Sequence, residues 1–157
     1  MQSRSDDALA ALGRELEALA ALVHTVSDED WSKACPGEEW PVSLTAFHIA
    51  RGWQRQAEFV EDVAAGRGPH LFDWGDTHAL NASVAAAHPS PSRDEVMALA
   101  TKSIDRMGAA AVAMSDADLD RIAFVFEGRD RSVLWVVGRL AVRHARGHRE
   151  SITAAIS

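Results

Sequence analysis

The sequence predicts an all-α fold: a four-helix bundle with a long irregular connection between its second and third long helices. Three observations predict it. All five prolines fall between Pro36 and Pro91, so the two flanking arms hold none. Proline inside a helix costs about 3 kcal/mol, and its absence permits long uninterrupted helices. Apolar residues recur at spacings of three and four in four separate segments, the stripe of amphipathic helices. Capping signals stand at the starts of three of those segments.

In the first arm, Ser5 is the expected N-cap, with Asp6 and Asp7 in a first turn that favours negative charge. Leu9, Leu12, Leu16, Leu19 and Val23 form its stripe. Residues 26–41 read as a loop carrying Trp31, Pro36, Gly37 and Trp40. A second helix starts at Val42 or Ser43 and runs to about Ala65, where Gly66, Gly68 and Pro69 end it. Its inner side carries Leu44, Phe47, His48, Gly52, Phe59 and Val63. Residues 66–91 are the least regular part, with two or three helical turns expected in NASVAAA.

Ser92 and Glu95 form a capping box that opens a third helix through Val96, Leu99 and Met107 to about Met114. SDADLD reads as a turn. Residues 122–126 are β-prone, closed by Gly128-Arg129-Asp130, and a hairpin there is the one departure from all-α that the sequence suggests. Ser132 caps the last helix, which carries Val133, Val137, Leu140 and Ile152. With 157 residues and no internal repeat, the expected organisation is one domain over 1–157.

Composition excludes several function classes. Hydrophobic residues make up 47% and charged residues 25%, as in an ordinary soluble globule. A formal net charge of -7 argues against a dedicated nucleic-acid binder, which shows a basic domain or stripe. No stretch approaches the roughly 18 apolar residues of a membrane span. Cys35 is the only cysteine, so no disulfide framework exists and a reducing cytoplasm is the expected compartment.

Seven histidines occur. His144 and His148 are four apart in the last helix, about 40° apart around its axis and on one face. Val137, Leu140, Ala141 and Ala155 lie on the same side, so the pair points inward. Two buried imidazoles cost a few kcal/mol if left unpaired. A shared divalent ion satisfies both, and neutral imidazole is the commonest metal ligand. His48, on the inner face of the second helix, is the candidate third ligand. The competing reading makes it a core histidine with a protein partner. Three histidines leave coordination positions open for water or substrate, the pattern of a catalytic site. All-imidazole ligation suits zinc, nickel, copper or iron.

The segment EEWPVSLTAFHIARGW resembles the entry of the DinB/YfiT-like helix-bundle superfamily, in which a Trp and a short turn lead into the helix bearing the first metal-binding His. RSVLWVVGRLAVRHARGHRESI resembles that superfamily's last helix, which bears the other two. THALNASVAAA and SDADLD are similar to members related to the N-terminal domain of mycothiol-dependent maleylpyruvate isomerases.

The resemblance implies one divalent ion, zinc or nickel, on His48, His144 and His148. It also implies a low-molecular-weight thiol cosubstrate of the mycothiol or bacillithiol type, with S-transfer as the leading activity, and a homodimer. A metal-dependent hydrolase and a non-catalytic metal- or small-molecule-binding dimeric bundle are the alternatives. The isomerase branch has Glu where this chain has His144, so the three-His set carries one negative charge fewer.

His78 and Asn81, in the irregular segment, are candidate substrate contacts. So is Arg55, about 10 Å beyond His48 on the same helix face, with an ion pair as its competing role. Arg139, Arg143, Arg146 and Arg149 read as a solvated face, and His24, His70 and His88 as exposed. Gly147, a costly residue in mid-helix, either leaves room for a neighbour to approach the last helix or is simply tolerated there. Cys35 has no adjacent base and is not proposed as a nucleophile.

Overall fold

A computed structural model describes residues 3–157. Helix α1 spans Arg4–Thr25, α2 Asp28–Trp31, α3 Val42–Ala64, α4 Trp74–Ala87, α5 Arg93–Val112 and α6 Asp116–Leu119. The last rod is composite: α7 (Val133–Trp135), a π-helical turn (Val136–Leu140) and α8 (Ala141–Ile156). The predicted four-helix bundle is present. In it α5 packs against α1 and α3, α3 also packs against α8, and α1 closes the ring on α8 and the π turn. Leu12, Leu19, Ile49, Trp53, Val60, Val96, Met107 and Ile152 are fully buried and fill the centre.

Helix α1 begins two residues earlier than Ser5 implies. Ser3 is the N-cap: its hydroxyl accepts from the Asp6 amide, and the Asp6 carboxylate accepts from the Ser3 amide. Ser5 lies inside the first turn, buried, its Oγ 3.0 Å from Ser3 Oγ. Ser92 and Ser132 cap as expected.

The middle connection is more ordered than its composition suggests. Asp73 caps the Asp76 amide, and a full helix follows from Trp74, not only the turns near NASVAAA. It has no fully buried residue, so it lacks the apolar stripe that would have marked it in the sequence. The β-prone segment does form a hairpin. Strand β2 (Ile122–Phe126) pairs antiparallel with β3 (Arg129–Ser132) and parallel with β1 (His70–Leu71). The two-residue loop is Glu127-Gly128, both at positive φ, and Arg129 already belongs to the strand. That is the backbone that matches the strand twist in a tight hairpin.

The arginines of the last rod do not all face solvent. Arg146 and Arg149 reach Glu15 of α1, each with a 2.9 Å contact to a different carboxylate oxygen. The Glu15 side chain is only 6% exposed, so this clamp neutralises a carboxylate inside the bundle seam. Arg139 and Arg143 are exposed as expected. His70 is half-buried, not exposed: its Nε2 lies 2.7 Å from Asp62 and its ring packs on Phe59 at 4.4 Å. Nothing approaches a Cβ built at Gly147.

Glu15→Ala leaves two guanidinium groups facing an empty seam. The expected loss is about 2 kcal/mol of unfolding free energy, below the 3–5 of a fully buried pair because Arg146 is half in water. Urea unfolding measures it, and an unchanged midpoint would mean that the clamp contributes nothing.

Candidate metal centre

His48 lies two turns into α3, and His144 and His148 one turn apart on α8. The helices meet where α3 carries Gly52. A Cβ there would lie 2.7 Å from His144 Nδ1 and closer still to Cε1. Glycine is therefore what lets the His144 ring lie against the α3 backbone. One residue on, Trp53 Nε1 donates to the Ala141 carbonyl at 2.9 Å and pins the same crossing. The approach that the sequence allowed at Gly147 occurs at Gly52 instead.

The three rings pack against one another, His148 edge-on to both others. Ring centres are 4.9 Å apart for His48 and His144, 4.6 Å for His48 and His148, and 4.7 Å for His144 and His148. One nitrogen from each lies within 4.8 Å of the others. The Nε2 atoms of His48 and His144 are 3.0 Å apart. His148 Nδ1 donates to Glu38 Oε1 at 2.7 Å. A carboxylate only accepts, so Nδ1 carries a proton and Nε2 is the nitrogen left to serve as a ligand atom. Trp40 covers His48 at 4.9 Å.

Burial, reinforced by the neighbouring His148, pushes the His48 pKa down to about 4. Burial and then the other two imidazoles hold His144 well below its ordinary range. Both rings are neutral at pH 7 and keep lone pairs to give. His144 Nδ1 is buried with no partner.

This donor set fits a divalent cation. Ligands at about 2.05 Å on a tetrahedral ion are roughly 3.3 Å apart, so His48 and His144 need to spread only a few tenths of an ångström. The protein contact between them accounts for one proton and leaves His148 Nε2 out of it. The reading of His48 as a core histidine with a protein partner is thus met only by another candidate ligand.

Glu38 was not singled out from the sequence. Pro36 and Gly37 place it: Gly37 has φ +80°, and the Glu38 amide donates to the Cys35 carbonyl at 3.0 Å, a type II turn. The Pro-Gly pair was the available signal. Cys35 itself is buried, and burial raises its thiol pKa, which suits a packing residue.

His48 and His144 line a cavity of about 150 Å³ that runs along α3 under α4 to the sheet. Asn81 and Arg55 also line it. His78 does not. It stands in an adjoining outer groove with Glu38, Glu39 and Trp40, which Asn81 shares. Arg51 and Gln56, unremarked in the sequence, belong to the cavity wall.

A helical bundle with a three-histidine cluster at a helix crossing is thus defined by fold and geometry. The sequence profile of the DinB superfamily matches residues 11–152, and the chain belongs to that superfamily. The crystal structure of an uncharacterized protein from Clostridium difficile 630 is similar in fold, with a TM-score of 0.74 at 12% identity over 98% of this chain and 95% of that one. No protein of curated function matches.

Two outcomes follow from this geometry. Gly52→Ala forces His144 out of the cluster, and about 1–3 kcal/mol of stability should go with it. NMR of the imidazole nitrogens would show His144 displaced, and an unperturbed His144 signal would contradict the steric argument. The second concerns acid. The folded pKa of His48 lies below the unfolded 6.5, so stability in chelator is full above pH 6.5 and falls as pH drops toward 4. For His48 alone the loss is of order 3 kcal/mol. Unfolding at pH 7.5 and pH 4.5 should show it, with a smaller fall in His48→Asn. Equal falls in both proteins would place the acid sensitivity elsewhere.

Proposed function

We propose that this chain is a metal-dependent S-transferase of low-molecular-weight thiols, of the mycothiol or bacillithiol type. In this reading His48, His144 and His148 hold one divalent ion, zinc or nickel. One observation carries it: of three clustered imidazoles, the two that burial keeps neutral, His48 and His144, open onto a cavity whose wall holds two arginines and no carboxylate. Bound there, the ion would supply Lewis acidity that keeps a thiol in its thiolate form at neutral pH.

The chain's own residues set the conditions for that chemistry. A neutral ligand set leaves the full charge of the cation uncompensated, and Arg51 and Arg55 add to the positive potential. Both favour an anionic sulfur over a neutral one. The apolar wall of Leu44, Leu80, Val84 and Leu140 excludes water, which strengthens these interactions. Glu38 orients His148 and fixes its tautomer. In the adjoining groove, Asn81 and His78 would meet the polar body of the thiol. Hydrolysis is less well supported. Nothing in the wall except the imidazoles themselves would take a proton from a water nucleophile.

Metal-stripped protein should bind one Zn²⁺ or Co²⁺ per chain. His144→Ala and His148→Ala should lose that affinity almost entirely, while Glu38→Gln should lose about 10–100-fold. Thiol consumption with an electrophile panel should vanish on stripping and return with metal. A full rate after stripping would contradict the proposal.

A further inference from the structure

Beyond the imidazoles, the cavity follows one face of α3 through Arg51, Arg55, Gln56 and Phe59. At 1.5 Å of rise per residue, Arg55 is about 10 Å and Phe59 about 16 Å along the axis from His48. Aromatic rings close the far end. Phe59 stacks on Phe124 at 5.2 Å, and Phe72 meets Phe124 edge-on at 5.9 Å. An apolar cavity of about 150 Å³ is the size that takes one benzene ring.

Two polar atoms in this stretch of wall are buried without a partner. Gln56 is 5% exposed, and its side-chain oxygen is buried without a partner. Arg51 Nε is likewise buried and unpartnered, while its Nη1 donates to Gln54. Arg55 makes no ion pair among the described residues, and its guanidinium carbon stands 5.7 Å from the Phe59 ring centre. Elsewhere half-buried arginines pair with carboxylates, Arg106 with Glu61 and Arg149 with Glu15, although Arg131 lies over Trp135 instead. A buried amide and an unpaired guanidinium beside aromatic rings are costly to keep without a ligand. A ligand that satisfies them brings an acceptor anion next to a flat apolar body. Gln56 donates to the same anion after a half-turn of its amide.

We infer that this cavity binds a small aromatic carboxylate, its ring against Phe59, Phe72 and Phe124 and its carboxylate on Arg55 and Gln56. The binding stands on the cavity alone. Its role, as the class of electrophile presented to the thiol, rests on the function proposed above.

Calorimetric titration with benzoate tests it, on metal-stripped and zinc-loaded protein, with acetate and benzyl alcohol as the half-molecules. Benzoate should bind the stripped wild type one to one, at least about tenfold more tightly than either control. Arg55→Gln should weaken benzoate about tenfold or more and leave benzyl alcohol unchanged. Arg55→Lys should recover part of the loss. Benzoate that binds no better than acetate or benzyl alcohol, binds equally to Arg55→Gln, or binds only when zinc is present would overturn the inference. Protein that takes no zinc yet binds benzoate through Arg55 would refute the metal reading and uphold this one.

Discussion

The contact on which the site depends is the one between the Gly52 backbone and the His144 ring. No other residue type fits there without displacing the imidazole. The crossing is held by the Trp53 indole on the Ala141 carbonyl, and Ala50, Ala57 and Ala145 are small buried residues of the same core. Small residues let the helices approach, and a close approach is what brings the His48 and His144 nitrogens within hydrogen-bond distance. The bundle thus holds three imidazoles together, an arrangement that would lower the ordering cost of binding an ion.

Electrostatics divide the molecule in two. The chain as a whole is acidic, and its carboxylates that enter the interior do so with cations attached, as Glu15 does with Arg146 and Arg149. The cavity reverses the pattern: cations without carboxylates, beside imidazoles that burial keeps neutral. A site built this way attracts anions and does not compensate the charge of a bound cation. One acidic group comes close, Glu38, and it acts through His148 from the outer groove.

Much of this was legible in the sequence because it follows from period and spacing. The four long helices and the face shared by His144 and His148 are consequences of the 3.6-residue repeat, and the Ser92–Glu95 capping box shows in its spacing. Helix α4 was not legible beyond its last turns, because a helix lying over a site with neither face fully buried leaves no stripe. Glu15 shows a different limit. It stands between Leu12 and Leu19 on the buried face of α1, a charge in an apolar row, yet its partners lie 131 and 134 residues away. Only the tertiary fold pairs them. The same holds for Glu38 and for the empty-handed Gln56: the residue types were visible, but their lack or choice of partners is a property of the packed chain.

The central claim is that the histidine cluster presents a metal ion to a thiol. X-ray absorption at the zinc edge of zinc-loaded protein tests it directly. Before thiol is added, the spectrum should show only nitrogen and oxygen neighbours at about 2.0–2.1 Å, with the scattering signature of three imidazoles. Addition of a low-molecular-weight thiol should bring in one sulfur at about 2.3 Å. A spectrum without that imidazole signature, or one in which thiol adds no sulfur neighbour, would contradict the account.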